Sequence, residues 1–274
     1  MRAQTDGGSG SRNHAREQAL TVTYVGGPTA LLEIGGLRLL TDPTFDPAGT
    51  QYQTAAYALR KTRGPAIAAK DIGGVDVVLL SHDHHFDNLD HAGRRALSLA
   101  SSVVTTVAGA ARLKQDAIGL VPWQSCEVLT RDGRVLRITA TPARHGPDGG
   151  DRGPVIGFIV AFADERRPVV YISGDTVWYD GIAEVSRRFD PAVVLLFAGA
   201  ACVPEVGPAP LTLTATDAVA AAHAFARATI VPMHFDGWAH FTETRAQIQQ
   251  AFDAAGLSGR LHWAPPGLPV TLPD

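Results

Sequence analysis

The chain has 274 residues, of which 45% are hydrophobic and 19% are charged, and its formal net charge at pH 7 is −3. These values are typical of a globular protein with a large buried core, and they argue against a disordered or fibrous chain. Because there is no basic block, nucleic acid is not an expected partner, and the two cysteines, Cys126 and Cys202, are too few for a disulfide framework.

Residues 1–20 are polar and rich in glycine and serine, and they lack the apolar segment of a signal peptide. We therefore expect a flexible leader over 1–20, followed by a single domain over 21–274. No apolar run approaches the length that crosses a bilayer. The sequence predicts a cytoplasmic protein without an integral membrane segment, whose partner is a small-molecule substrate; no pattern indicates its oligomeric state.

Apolar runs and turn signals predict strands and helices that interleave along the chain. The predicted strands, in chain order, are 21–26, 30–36, 37–43, 75–80, 102–108, 126–130, 134–143, 157–163, 168–175, 192–199 and 229–235. The predicted helices are 88–100, 111–120, 181–189, 214–226 and 242–255, while residues 47–74 give no clear pattern. Two packed sheets with helices on their outer faces would use all of these elements.

Five side chains that can bind metal lie at or just after the C-terminal ends of four predicted strands, where ligand sites are favoured. They are His82, His84, His145, Asp175 and His234. Imidazole and carboxylate groups suit zinc, manganese or iron(II). In an extended loop, His82 and His84 would point the same way and could grip one ion. A carboxylate such as Asp175 can bridge two ions, so the pattern predicts a metal centre.

With these residues in this order, the chain resembles the metallo-β-lactamase-fold hydrolases. The stretches that carry the resemblance are TYVGGPTALLEIGGLRLLTDP, SHDHHFDNLD, TPARH, YISGDT, IVPMHF and APPG. Within that superfamily they are most similar to the branch with the lactonase of ascorbate catabolism (ascorbate-6-phosphate lactonase) and the N-acyl-phosphatidylethanolamine phospholipases D. The resemblance implies a four-layer αββα sandwich, with the metals at one edge between the two sheets.

The resemblance also implies roles for single residues. His82 and His84 match the first two histidines of the family's HxHxDH motif, and His145 matches the third histidine of the first metal site. Asp175 matches the bridging aspartate and His234 the last histidine, on the second metal. Asp42 matches an aspartate that supports the site from behind the ligands.

The chain departs from this motif at residues 86–88. Phe86 and Asp87 stand where the family has Asp and His, as if one residue had been inserted, and Asn88 follows. Asp87 is then the expected carboxylate ligand, and Asn88 replaces a histidine on the second metal. Because an asparagine oxygen is a poor zinc ligand, the second site is expected to be weak or to hold manganese or iron. Alternatively, Asp87 or Asn88 caps the next helix, and His85 is an exposed loop residue, a donor to a ligand or, less favoured, a substitute ligand.

We therefore predict a metal-dependent hydrolase with one or two divalent ions, zinc first, acting on a phosphodiester, lactone or other ester. Asp87 would orient the attacking water and help to move its proton. His240, in the loop after His234, would either line the pocket and donate to an oxyanion or cap the next helix. The alternative function is a non-hydrolytic sensor or scaffold with a single ion, and a third hypothesis is redox or sulfur chemistry at iron.

Overall fold

The computed structural model describes residues 19–114 and 117–272. Most of the predicted leader, 1–20, falls outside the described residues, as do positions 115–116 of the predicted helix 111–120. The described strands are β1 Leu20–Gly26, β2 Thr29–Ile34, β3 Leu37–Thr41, β4 Gln51–Gln53, β5 Ala58–Arg60, β6 Val75–Leu79, β7 Ala100–Thr106, β8 Ala117–Leu120, β9 Ser125–Leu129, β10 Val135–Pro142, β11 Ile156–Phe162, β12 Val170–Ile172, β13 Val193–Phe197, β14 Thr229–Met233 and β15 Pro269–Leu272.

Six α-helices are described in the same ranges: α1 Ala69–Ile72, α2 His91–Ala96, α3 Val107–Leu113, α4 Asp180–Arg188, α5 Ala215–Ala224 and α6 Arg245–Ala254. Single 3₁₀ turns lie at Leu97–Leu99 and Ser258–Arg260. Within the described part of the chain, no helix is both long enough and apolar enough to span a membrane.

Thirteen of these strands form two sheets that pack face to face. The first sheet has the order β15-β1-β2-β3-β6-β7-β8, and the second has the order β14-β13-β12-β11-β10-β9. Strand β13 shows why the layers stack, because Val193 and Leu195 point into the core between the sheets while Val194 and Leu196 pack against the helices outside. Such burial on both faces requires an uninterrupted apolar run.

Helices cover the outer face of each sheet. Helices α4, α5 and α6 bury Ile182, Ala218 and Ile248 against the second sheet, and α2 with its following turn buries Ala96 and Leu97 against the first. The predicted four-layer αββα sandwich is confirmed.

The strand directions bring the predicted ligand positions to one edge. Strands β12, β13 and β14 are parallel, and β10 and β12 are both antiparallel to β11, so these four strands end at the same edge of their sheet. In the first sheet β6 is parallel to β3 and β7. The backbone N–H of Ile156 donates to the carbonyl of Ser81 at 3.2 Å and ties this edge of one sheet to the other.

Two predicted helices differ from the structure. The helix predicted over 111–120 is wrong in its second half: α3 begins at Val107, where Thr106 caps it by accepting from the N–H of Gly109, and residues 117–120 form β8. The helix predicted over 88–100 is shorter, since Asp90 caps α2 and a 3₁₀ turn ends it. Residues 47–74, which gave no pattern, contain the small β4–β5 hairpin and α1.

Candidate metal centre

Four loops at the shared edge supply the candidate ligands. His82 follows β6, His145 follows β10, Asp175 follows β12 and His234 follows β14. All four are at least 96% buried. His234 has a φ of 53°, in the left-handed region that non-glycine residues seldom adopt, and its N–H donates to the carbonyl of Gly27 at 2.8 Å. Backbone strain of this kind collects at functional sites.

Three imidazoles converge at the first part of the site. The Nδ1 atom of His85 lies 2.9 Å from Nε2 of His82 and 3.2 Å from Nε2 of His145. Two ligands of a tetrahedral zinc ion, each about 2.0–2.1 Å from the metal, are roughly 3.3 Å apart. The three nitrogens therefore have nearly the spacing of one zinc coordination shell.

Hydrogen bonds behind these rings fix their orientation. The carbonyl of Leu211 lies 2.8 Å from Nδ1 of His145, so that nitrogen carries the proton and Nε2 is free to bind a cation. The hydroxyl of Ser81 contacts Nδ1 of His82 at 2.9 Å, and Asp42 accepts from the N–H of Ser81 at 2.6 Å. Buried partners of this type are what orient metal-binding histidines in proteins.

A second group lies directly beside the first. It consists of Asp87, Asp175 and His234, whose ligand atoms lie within 4.8 Å of one another. Oδ1 of Asp175 is 3.4 Å from Nε2 of His234, while its Oδ2 is 3.5 Å from Nε2 of His145. The carboxylate of Asp175 thus presents one oxygen to each group, which is the arrangement of a bridging ligand.

Several buried polar atoms of the site make no hydrogen bond, and a bound cation would give them a partner. Both carboxylate oxygens of Asp175 and both ring nitrogens of His234 are buried and make no hydrogen bond to any described residue. Leaving such groups unpaired in the interior costs free energy, and buried charges are normally paired or bound to metal. The residues present therefore fit divalent metal ions.

The two groups differ in electrostatics. Burial, reinforced by the neighbouring imidazoles, holds the pKa of His82 well below its usual value and lowers the pKa of His85 to about 3. Burial would also lower the pKa of His234, but the carboxylates of Asp175 and Asp87 outweigh it and raise that pKa to about 10. Although burial works against it, contacts with His234 and His240 keep the pKa of Asp87 well below its usual range, so this carboxylate is ionised.

Comparison with known proteins identifies the family. The profile of the Beta-lactamase superfamily domain matches residues 37–235, well over half of the chain. The chain belongs to the metallo-β-lactamase superfamily of metal-dependent hydrolases. The resemblance predicted from the sequence is confirmed.

Individual relatives lie at low sequence identity. A UPF0173 metal-dependent hydrolase from Aeropyrum pernix is 26% identical, with 78% of this chain and 81% of the relative covered. N-acyl-phosphatidylethanolamine-hydrolyzing phospholipase D 1 from Caenorhabditis elegans is 26% identical over 65% of this chain and 54% of its own. Among solved structures, an isothiocyanate hydrolase from Delia radicum gut bacteria is 25% identical with a TM-score of 0.78, covering 91% of this chain and 98% of that one.

Within this superfamily site, His84 is the predicted ligand that the structure does not bring to either group. Its Nε2 lies 2.9 Å from the carbonyl of Arg152, and a carbonyl can only accept, so Nε2 donates there. The loop is bent over residues 83–85, and the turn that follows is closed by the N–H groups of Asn88 and Leu89, which both donate to the carbonyl of His85. Because the loop bends before His85, this residue lies beside His82, with 2.9 Å between Nδ1 of His85 and Nε2 of His82, in the place that an extended loop would give to His84.

The contacts of residues 87–90 show which of them caps the next helix. Asp90, rather than Asp87 or Asn88, caps α2, and its side chain accepts from the N–H of Gly93 at 2.7 Å. Asn88 is fully buried, and both polar atoms of its amide lack a partner among the described residues.

His240 touches the second group without belonging to it. Its Nε2 lies 3.0 Å from Oδ2 of Asp87. It does not cap the next helix, because Thr244 does so in a capping box with Gln247. Of the two interpretations of His240 from the sequence, the pocket-lining one matches its position.

A pocket opens directly over both groups. It encloses about 350 Å³ of empty space, part of it open to solvent, and His85, Asp87, His145 and His240 form its floor. Its walls are formed by Tyr57, Leu59, Arg152, Ala201, Val203, Val206 and Leu211. The superfamily site is thus reached through a small and mostly apolar pocket.

Proposed function

We propose that this protein hydrolyses a small ester, lactone or phosphodiester with water activated by two divalent ions. The observation that carries the proposal is the carboxylate of Asp175, which offers one oxygen to each of two groups of buried ligand atoms. The proposed ligands are His82, His85 and His145 for the first ion and Asp87 and His234 for the second, with Asp175 shared.

The ligand types favour zinc at the first position. Three imidazoles and a carboxylate oxygen form a set that suits zinc, and manganese or iron(II) can also accept it. The second group, with two carboxylates and one imidazole, is the harder of the two and is more tolerant of manganese or iron. When bound, such ions lower the pKa of water and stabilise negative charge on a substrate oxygen.

Side chains of the pocket would accept the proton of the attacking water and stabilise charge on the substrate. Asp87 is ionised and faces the pocket floor, so its carboxylate can orient the attacking water and accept its proton. His240 contacts that carboxylate at 3.0 Å and can pass the proton on or donate to a developing oxyanion.

Two relatives suggest reactions to include in a substrate panel. One is named as a phospholipase D that hydrolyses N-acyl-phosphatidylethanolamine, and the other as an isothiocyanate hydrolase. At 26% and 25% identity, these two proteins suggest reaction classes to test but do not identify a substrate.

The test counts metal and measures turnover on one preparation. Protein purified without added metal should contain close to two ions per chain by elemental analysis. It should turn over at least one of bis(p-nitrophenyl) phosphate, a lactone panel, p-nitrophenyl esters or benzyl isothiocyanate. His82→Ala and His234→Ala should each lose at least about 100-fold in kcat/KM, because each removes a direct ligand, while His223→Ala, an exposed histidine elsewhere, should not.

Three results would contradict the proposal. The absence of stoichiometric metal from the wild-type protein would refute the proposed hydrolysis. A tightly bound single ion with no turnover on the whole panel would favour the non-hydrolytic sensor or scaffold instead. Iron in protein purified without added metal, together with redox turnover, would favour the third hypothesis.

A further inference from the structure

One pocket residue, Arg152, carries a permanent positive charge that no described carboxylate neutralises. A guanidinium stays protonated at all physiological pH values. None of the ion pairs among the described residues includes Arg152, and its Nε atom is buried without a hydrogen-bond partner. A half-buried charge beside apolar walls gains free energy when an anion pairs with it.

The position of Arg152 is fixed by three hydrogen bonds. Its N–H donates to the carbonyl of His145 at 2.9 Å, which ties it to a proposed ligand. Its carbonyl accepts from Nε2 of His84 at 2.9 Å, and its Nη2 donates to the carbonyl of Val206 at 2.6 Å. The guanidinium is therefore held at the pocket wall instead of extending into solvent.

The contact between His84 and this backbone depends on the next residue. Gly153 has a φ of 106°, and a Cβ atom built on it would lie 2.9 Å from Nε2 of His84. A larger residue would be strained in that conformation and would crowd the imidazole. Glycine at this position therefore allows the imidazole of His84 to approach the backbone closely enough to hold Arg152 in place.

We propose that Arg152 is the specificity-determining residue of this pocket, that it selects substrates bearing an anionic group, and that His84 is the positioning residue that holds it. This inference rests on the proposed function. The anionic group is a carboxylate or a phosphate, since both match the planar fork of a guanidinium. The apolar walls fit the remainder of a small substrate.

The first experiment compares matched substrates. p-Nitrophenyl butyrate is neutral, mono-p-nitrophenyl glutarate carries a carboxylate away from the reacting bond, and bis(p-nitrophenyl) phosphate carries its charge at the reacting centre. Wild type should prefer one of the two anionic substrates, and Arg152→Gln should lower the ratio of anionic to neutral kcat/KM by about 10- to 100-fold, chiefly through KM. A fall in the ratio for the glutarate ester would indicate that Arg152 binds a carboxylate, and a fall in the ratio for the phosphodiester would indicate that it binds a phosphate.

Arg63→Gln is the matched control, because Arg63 is exposed and lies outside this pocket. Bound metal ions also attract anions, so a preference that is unchanged in Arg152→Gln would overturn the inference. An equal loss on all three substrates would overturn it as well, because it would indicate a structural role alone.

A binding measurement separates this inference from the proposed function. Calorimetric titration of glutarate and of inorganic phosphate into the metal-loaded protein needs no turnover. At least one of them should bind Arg152→Gln about 10-fold more weakly than wild type or Arg63→Gln. If no substrate is turned over but this difference is found, the proposed hydrolysis fails and the anion site stands; equal binding by all three proteins overturns the anion site.

The second experiment tests His84 through metal content. A glutamine amide can replace an imidazole Nε2–H as a donor to the Arg152 carbonyl, but it is a poor zinc ligand. His84→Gln should therefore keep both ions and the anionic preference, whereas His84→Ala should keep the ions and lose part of the preference. His85→Gln should lose the first ion. Loss of an ion from His84→Gln would overturn the positioning role.

Discussion

The carboxylate of Asp175 is the residue on which both proposed ions depend. It is fully buried, and the two nitrogens nearest to its separate oxygens belong to His145 and His234. Asp87, by contrast, has ion-pair contacts within the described residues to His234 and His240, at 3.6 and 3.0 Å from their Nε2 atoms. Asp175 thus contacts histidines of both ligand groups, whereas the ligand histidine that Asp87 contacts belongs to the second group.

Substitution of these aspartates should separate the two ions. Asp175→Asn is expected to weaken binding of both ions by at least about 100-fold, because changes behind the ligands already cost 10- to 100-fold. Asp87→Asn should weaken only the second. Elemental analysis after dialysis against a weak chelator would show close to zero ions for the first variant and one for the second; a single ion retained by Asp175→Asn would contradict the shared ligand.

The sequence predicted that His82, His145, Asp175 and His234 lie at one edge because each follows an apolar strand, and the structure places them there. It did not distinguish His84 from His85. That choice depends on whether the loop after β6 is extended or bent, and the structure bends it over residues 83–85. No pattern of side chains in the sequence predicts this bend. The adjacent histidines, His84 and His85, did indicate that either imidazole could face the site.

The β4–β5 hairpin is the element that carries Tyr57 and Leu59 over the pocket, and a buried ion pair anchors it. Nζ of Lys61 lies 2.8 Å from Oδ2 of Asp90, and their side chains are only 4% and 0% exposed. Asp90 also accepts from the backbone N–H groups of residues 45 and 46 and caps α2. One carboxylate therefore joins the hairpin, the preceding loop and a helix.

Breaking this pair should destabilise the fold and disturb the pocket. Lys61→Met leaves the Asp90 charge buried without its counter-ion, and we expect a loss of about 3–5 kcal/mol in the free energy of unfolding measured with urea. Arg137→Met is the control, since it breaks a pair whose side chains are 47% and 53% exposed and should cost at most about 1 kcal/mol. Equal losses in both variants would refute the anchor.

Elements with a long apolar run were predictable, and this hairpin was not. Each of its strands has three residues and buries only the middle one, so the alternation is too short to separate from a loop. Its position is set by Lys61, Asp90 and the stacking of Tyr52 on Phe86, all of which are contacts between distant positions. Similarly, β8 forms by pairing with β7 and not from its own propensity.

Across the whole molecule, all five tyrosines are held in their neutral form. Burial raises the pKa of each above its ordinary value of about 10, with Tyr179 raised to about 12. For a group whose folded pKa is raised, the associated stability is fully present below the unfolded pKa and is lost as the pH rises above it. The fold should therefore lose stability above about pH 10.

Tyrosinate absorbance measures this directly. At about pH 10 the chain unfolded in urea should have roughly half of its tyrosines ionised, whereas the native protein should have far fewer. Ionisation in the native protein should then rise together with the loss of its circular dichroism signal. Equal ionisation of the native and unfolded chains at that pH would contradict the burial of these side chains.

The order of the proposed ligands along the chain has a consequence for biosynthesis. His82, His85 and Asp87 lie within six positions, yet neither group is complete until a residue far downstream has been made. The first ion needs His145 and the shared Asp175, whereas the second also needs His234, which lies 59 residues after Asp175 (234 − 175). On a chain emerging at about 5–20 residues per second, the three imidazoles become available seconds before the second group closes, so the nascent protein should acquire its two metals in a fixed temporal order.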